Sequence, residues 1–127
     1  MAVLPTQASL EAFVAEDDGG PVVMLNLVRY ADGDRALYDE YSQKVLPFLV
    51  EYGGEVVYAG ACSTKVIADE SYPGEWDAML LVRYPSRKAF GEMIADPEYL
   101  EVAALRERGL EDSVLHATSE WYPQPAG

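Results

Sequence analysis

Val22-Val23-Met24-Leu25-Asn26-Leu27-Val28-Arg29-Tyr30 decides the fold, because the chain echoes it at Trp76-Asp77-Ala78-Met79-Leu80-Leu81-Val82-Arg83-Tyr84. Both stretches are apolar and rich in β-branched residues, and both read as buried strands. Each carries Met-Leu (Met24-Leu25 and Met79-Leu80) and closes with Val-Arg-Tyr, with one residue less between these marks in the second copy. A helical pattern follows each copy, so the repeated unit is strand plus helix.

Outward from the first copy, Thr6 caps a short helix running to about Glu16, with Leu10, Phe13 and Val14 on one face. Asp17-Asp18-Gly19-Gly20-Pro21 stops it. After the first strand, Asp32-Gly33-Asp34 forms a turn and caps a helix. That helix carries Leu37, Tyr41, Val45, Phe48, Leu49 and Tyr52 on one stripe. Pro47 inside it predicts a kink, and Gly53-Gly54 ends it. Glu55 to Gly60 alternates as a strand and is expected to continue, bent, through Lys65 to Ala68. Tyr72-Pro73-Gly74-Glu75 is a turn before the second copy. Pro85-Ser86 opens a helix with Ala89, Phe90, Met93 and Ile94 inward. Asp96-Pro97 starts another, with Asp as cap and Pro in the first turn, carrying Tyr99, Leu100, Ala103 and Leu105 to near Gly109. Ser113 to Trp121 is the last strand. The expected fold class is α+β: a ferredoxin-like βαββαβ with an extra N-terminal helix. Residues 1–20 form the helix and linker, 21–121 the domain, and 122–127 a loose tail.

Strand parity raises the question of the second sheet face. Val23, Leu25 and Leu27, Met79 and Leu81, and Leu115 and Ala117 are expected to face the helices. The other face then holds Met24, Asn26, Val28 and Tyr30; Trp76, Ala78, Leu80, Val82 and Tyr84; and Val114, His116 and Thr118, joined by Val56 and Tyr58. That face is too apolar for water, and no helix remains to cover it. A second copy of the chain supplies the cover, the two sheets curling into a barrel. A homodimer is expected.

The chain has 127 residues, 22 Asp and Glu against 9 Lys and Arg, and a formal charge of −13. Such a surface repels nucleic acid and anionic membrane. The single cysteine, Cys62, and single histidine, His116, build neither a disulfide framework nor an ordinary metal site, so no metal, haem or other cofactor is expected. No signal-like start or membrane-length apolar run appears, and the expected compartment is the cytoplasm.

The combination Gly20-Pro21-Val22-Val23-Met24-Leu25-Asn26-Leu27, Tyr84-Pro85-Ser86-Arg87 with Ala89-Phe90 and Met93, Asp96-Pro97-Glu98-Tyr99, and Gly109-Leu110-Glu111-Asp112-Ser113 with Ala117-Thr118 resembles a bacterial family of unknown function. That family lies in the dimeric α/β-barrel (ferredoxin-like) superfamily, and the resemblance spans about Pro5 to Thr118. It implies the dimeric barrel but no single activity, since the superfamily includes cofactor-free monooxygenases, isomerases, cyclases and haem-degrading enzymes. A histidine common in the family before the arginine of the last helix is Leu105 here, before Arg106.

His116 and Asn26 are the candidate catalytic residues, an imidazole to move a proton and an amide to hold an oxyanion. Tyr58, Trp76, Tyr84 and Thr118 are the candidate substrate-binding residues, offering flat apolar surface with polar tips. Asn26 and His116 are expected to share one pocket on the barrel side of the sheet. The alternative for the set is a filled barrel interior with local hydrogen bonds. Asp77 as a general base competes with a plain strand-start carboxylate. Among Arg29, Arg83, Arg87, Arg106 and Arg108 most are expected to pair with acids, and one could recognise a carboxylate, with no means of choosing which. The functional expectation is a small-molecule-binding dimer, a cofactor-independent enzyme of isomerase, cyclase or monooxygenase type on a small apolar substrate. The alternatives are a non-catalytic ligand binder and a structural or accessory dimer, with a haem enzyme as a weaker fourth.

Overall fold

The computed structural model describes residues 4–69 and 75–122. In chain order the elements are α1 (Gln7–Ala15), β1 (Val22–Tyr30), α2 (Ala36–Tyr52), β2 (Glu55–Ala61), β3 (Ala78–Tyr84), α3 (Arg87–Ala95), α4 (Pro97–Gly109) and β4 (Leu110–Thr118). The strands form one four-stranded sheet in the order β2-β3-β1-β4, antiparallel throughout. After α1 this is the βαββαβ order, with each half a split strand–helix–strand unit. The two echoed stretches, β1 and β3, are the central pair, with Val22 opposite Tyr84 and Val28 opposite Ala78.

The helix ends follow the sequence signals. Thr6 caps α1 in a reciprocal box with Ser9. Ser86 accepts from the Ala89 N–H at the start of α3, and Asp96 accepts from Glu98 above Pro97 at the start of α4. Gly53 closes α2 at φ 77°, a left-handed conformation natural to glycine. α2 runs uninterrupted through Pro47, which sits on its exposed side. A short 3₁₀ turn at Ala31–Gly33 precedes it.

Three expectations are corrected. β2 ends at Ala61, and residues 62–69 form no strand, so the bent continuation through Lys65 to Ala68 is absent. β4 begins earlier than expected, at Leu110, and ends at Thr118 instead of Trp121. The third concerns the faces. The core joins Met24, Val28, Ala78, Val82 and Tyr84 to Tyr38, Tyr41, Val45 and Leu49 of α2, Phe90 and Met93 of α3, and Tyr99 and Ala103 of α4. The helices therefore cover the even-numbered positions of β1 and β3, the reverse of the sequence reading. β4 keeps its expected parity, since Leu115 pairs with Asn26 and Ala117 with Met24. A slip between Val56 and Tyr58 in β2 puts Val56 on the helix side, opposite Val82, and Tyr58 on the other, opposite Leu81. Apolar content misled because both faces of the central strands are apolar. Arg29 and Arg83 carry the true parity, standing on the face of Leu25, Leu27, Met79 and Leu81. The expected Tyr72–Gly74 turn lies outside the described residues.

Candidate functional site

The helices do not close tightly on the sheet. Between them lies a cavity of about 780 Å³, within the range of small-molecule sites. Its floor is Met24 and Asn26 of β1, Leu80, Val82 and Tyr84 of β3, Val56 of β2 and Leu115 of β4. Its walls are Tyr38, Tyr41 and Val45 of α2, Met93 of α3, and Tyr99, Ala103 and Arg106 of α4. Leu4 to Gln7 and Leu10 stand at one rim. A smaller cleft of about 540 Å³ between α1 and β4 adjoins it and shares Leu10, Met24, Phe90, Arg106 and Leu115.

Polar side chains on the lining include Asn26, Tyr38, Tyr41, Tyr84, Tyr99 and Arg106, with Thr6, Gln7, Asp39, Ser42 and Gln43 also among them. Tyr41 and Tyr99, each 8 % exposed, join hydroxyl to hydroxyl at 2.9 Å. Two hydroxyls carry two protons, and the pair spends one on itself. Burial, reinforced by the Tyr99 hydroxyl, pushes the Tyr41 phenol well above its ordinary pKa, and burial raises Tyr38 and Tyr84 too. All three stay neutral and protonated over the physiological range. Asn26 donates from Nδ2 to the Met24 carbonyl at 3.3 Å. Arg106 is the buried charged residue of the described core, and its positive charge opposes the burial effect at Tyr38, Tyr41 and Tyr84. The carboxylate on the lining, Asp39, stands on the exposed rim and is held by Arg35 at 3.0 Å.

Of the six candidate site residues, the cavity gathers Asn26 and Tyr84. His116 pairs with Leu25 and so stands on the opposite sheet face from Asn26, which pairs with Leu115. The expected common pocket for the two is not formed. His116 is exposed, borders the smaller cleft, and its Nδ1 lies 2.9 Å from the Ala117 carbonyl oxygen. Tyr58, 50 % exposed, lies over Gly60 on that same open face. Thr118 donates to the Val23 carbonyl at 2.7 Å. Trp76 stacks under the Arg29 guanidinium at 5.5 Å. Asp77 accepts from the Tyr30 N–H at 2.8 Å and ties down the end of the central strand β1, a structural role. Arg29 and Arg83 pair with Asp112 and Glu120, and Arg87 covers Phe13.

Sequence reasoning missed Tyr38, Tyr41, Tyr99 and Arg106 as a group. Their signal was the sheet parity: once Asn26 faces the helices, the inward tyrosines of α2 and α4 stand over it.

Residues 26–118 match a domain of unknown function, DUF1330. The chain belongs to this family. A DUF1330 protein is thus a ferredoxin-like sheet with a helical layer over one face. The chain is 33 % identical to RPA0582, a protein of unknown function from Rhodopseudomonas palustris, over 95 % of this chain and 98 % of that one, with a TM-score of 0.85. More distant likenesses carry the fold alone. A dimeric protein of unknown function from Bacteroides fragilis shares 12 % identity at a TM-score of 0.55, over 80 % of this chain and 97 % of that one. SnoaB, a cofactor-independent oxygenase from Streptomyces nogalater, shares 14 % at 0.56, over 83 % and 99 %. No curated protein matches the chain. Among the described residues no helix is long and apolar enough to cross a membrane, and no group of His, Cys, Asp and Glu could hold a metal.

Proposed function

We propose that this DUF1330 protein binds a small, largely apolar organic molecule between its helices and its sheet, and that it does so as a homodimer. The observation that carries the reading is the cavity: about 780 Å³, walled by aliphatic and aromatic side chains, with a handful of hydrogen-bonding groups at its buried end. A core filled for stability alone would close such a space, since unfilled apolar volume destabilises. The dimer follows from the other face, where Leu25, Leu27, Met79 and Leu81 are only half-buried and Val114 is 37 % exposed. A copy of the same face is the natural cover, and the Bacteroides fragilis relative of this fold is described as dimeric.

A cofactor-independent enzyme in the same cavity is the second reading. The Asn26 amide and the neutral phenols favour it, because such donors stabilise a developing enolate or oxyanion. Binding is preferred, since among the described residues the buried part of the cavity is lined by no imidazole or carboxylate that would act as general base.

Nile red, a neutral dye, tests the cavity by fluorescence titration. The expected result is saturable binding of one dye per protomer, weakened by Leu115→Trp, which fills the floor from an already accessible position. Absence of saturable binding, or binding indifferent to Leu115→Trp, would overturn the assignment.

A further inference from the structure

Tyr38, Tyr41, Tyr84 and Tyr99 are all buried in the described core, and a tyrosine hydroxyl in a core calls for a partner. Tyr41 and Tyr99 answer each other at 2.9 Å. Tyr38 and Tyr84 are 6 % and 5 % exposed, and neither hydroxyl hydrogen-bonds to a described residue. Yet the described residues contain no sealed, unpartnered side-chain N or O atom. Both hydroxyls are therefore open, and the space their residues line is the cavity. They enter it from opposite layers, Tyr84 from β3 in the floor and Tyr38 from α2 in the wall. Burial raises the pKa of both phenols, Tyr99 adds to the rise at each, and Tyr38 adds to it at Tyr84, so the hydroxyls gather about one region.

Packing alone does not call for these hydroxyls. A phenylalanine ring would fill either position with no hydroxyl to strip of water, as Phe90 does edge-on against Tyr84. Each phenol stays protonated, and each carries a proton for which the described residues supply no acceptor.

We propose that the cavity takes a neutral, apolar carbonyl compound, its oxygen received by the Tyr38 and Tyr84 hydroxyls and its hydrocarbon body lying against Met24, Val45 and Leu115. This deepens the reading of the cavity as a ligand site and rests on it. A carbonyl oxygen has two lone pairs and no proton, which suits two converging donors. A ligand hydroxyl or amine would bring a further proton to the buried end, where the dedicated side-chain acceptor is the Asn26 Oδ1. An anion is disfavoured by a chain of net charge −13, and Arg106 on the same wall has an interaction of its own.

2-Acetonaphthone and 2-isopropenylnaphthalene form the testing pair, alike in shape but with the carbonyl oxygen of the first replaced by a methylene group in the second. Each is titrated by displacement of Nile red from the intact protein. In the double variant Tyr38→Phe with Tyr84→Phe the ketone is expected to bind about fivefold more weakly or worse, the effect of losing at least one neutral hydrogen bond. The hydrocarbon is expected to bind as before, which also certifies that the variant is folded. Should the variant fail to fold, the infrared carbonyl stretch of 2-acetonaphthone bound to the parent protein decides: a position below that in hexane supports the contact, and the hexane position overturns it. Equal change for the two probes, no change for either, or failure of the ketone to displace bound Nile red would overturn the carbonyl assignment and leave the cavity reading standing. Failure of Nile red itself to bind would overturn the two together.

Discussion

The Tyr41–Tyr99 hydroxyl pair makes a quantitative prediction. Both residues are 8 % exposed, and their oxygens lie 2.9 Å apart across the α2–α4 contact. Tyr99→Phe removes one oxygen and leaves the Tyr41 hydroxyl without its partner. A buried neutral hydrogen bond contributes about 1 kcal/mol, and an orphaned buried hydroxyl costs about 1–3 kcal/mol. The hydroxyls line a cavity that water can enter, so the lower end of that range applies, about 1–1.5 kcal/mol for each single variant. Tyr41→Phe with Tyr99→Phe removes both partners and leaves nothing orphaned, so the double variant should cost little more than either single one. The coupling energy from urea denaturation of all four proteins should be about 1 kcal/mol. Strictly additive losses would refute the pairing and, with it, the assignment of one remaining phenolic proton to the cavity.

Three further outcomes are expected. Burial raises the pKa of Tyr38, Tyr41 and Tyr84 in the folded protein above the unfolded value of about 10. Stability from these phenols is complete below that pH and should fall as pH rises beyond it, as the unfolded chain ionises first; denaturation midpoints from pH 8 to 11 check this, and a flat or rising profile contradicts it. Leu81→Glu places a charge in the centre of the open sheet face and should yield a folded protein of 14.0 kDa by light scattering, against an expected mass of twice that for the parent. Met93→Ala removes a side chain only 2 % exposed from under the helices and should cost about 2–4 kcal/mol in chemical denaturation.

Local chemistry made the element order legible. Thr6, Asp96-Pro97 and Gly53 each occupy the cap position their side chain or backbone freedom suits, and the Met-Leu to Val-Arg-Tyr echo pairs the two central strands. What stayed hidden was which way the central strands face. In β1 the two parities read Val23, Leu25, Leu27 and Met24, Asn26, Val28, and hydrophobicity alone ranks the first as more apolar. It is the register with β4, where Leu115 meets Asn26 and His116 meets Leu25, that separates Asn26 from His116. Register is a long-range property, set by packing of whole elements, and a one-residue reading error inverts an entire face. Asn26 and Tyr84 survived the inversion as cavity residues because both moved together to the helix side. Arg106 was visible only as one of several arginines near a helix end, since burial is what distinguishes it from Arg108.

The most direct test of a ligand site between helices and sheet is chemical-shift mapping of the labelled protein with Nile red. The account predicts shifts at the Asn26 side-chain amide and at the Met24 and Met93 methyl groups, which line the cavity. Tyr58 and His116, on the opposite face, should hold their positions. Shifts confined to Tyr58, His116 and the open face, with Asn26 and the two methyl groups unmoved, would contradict it.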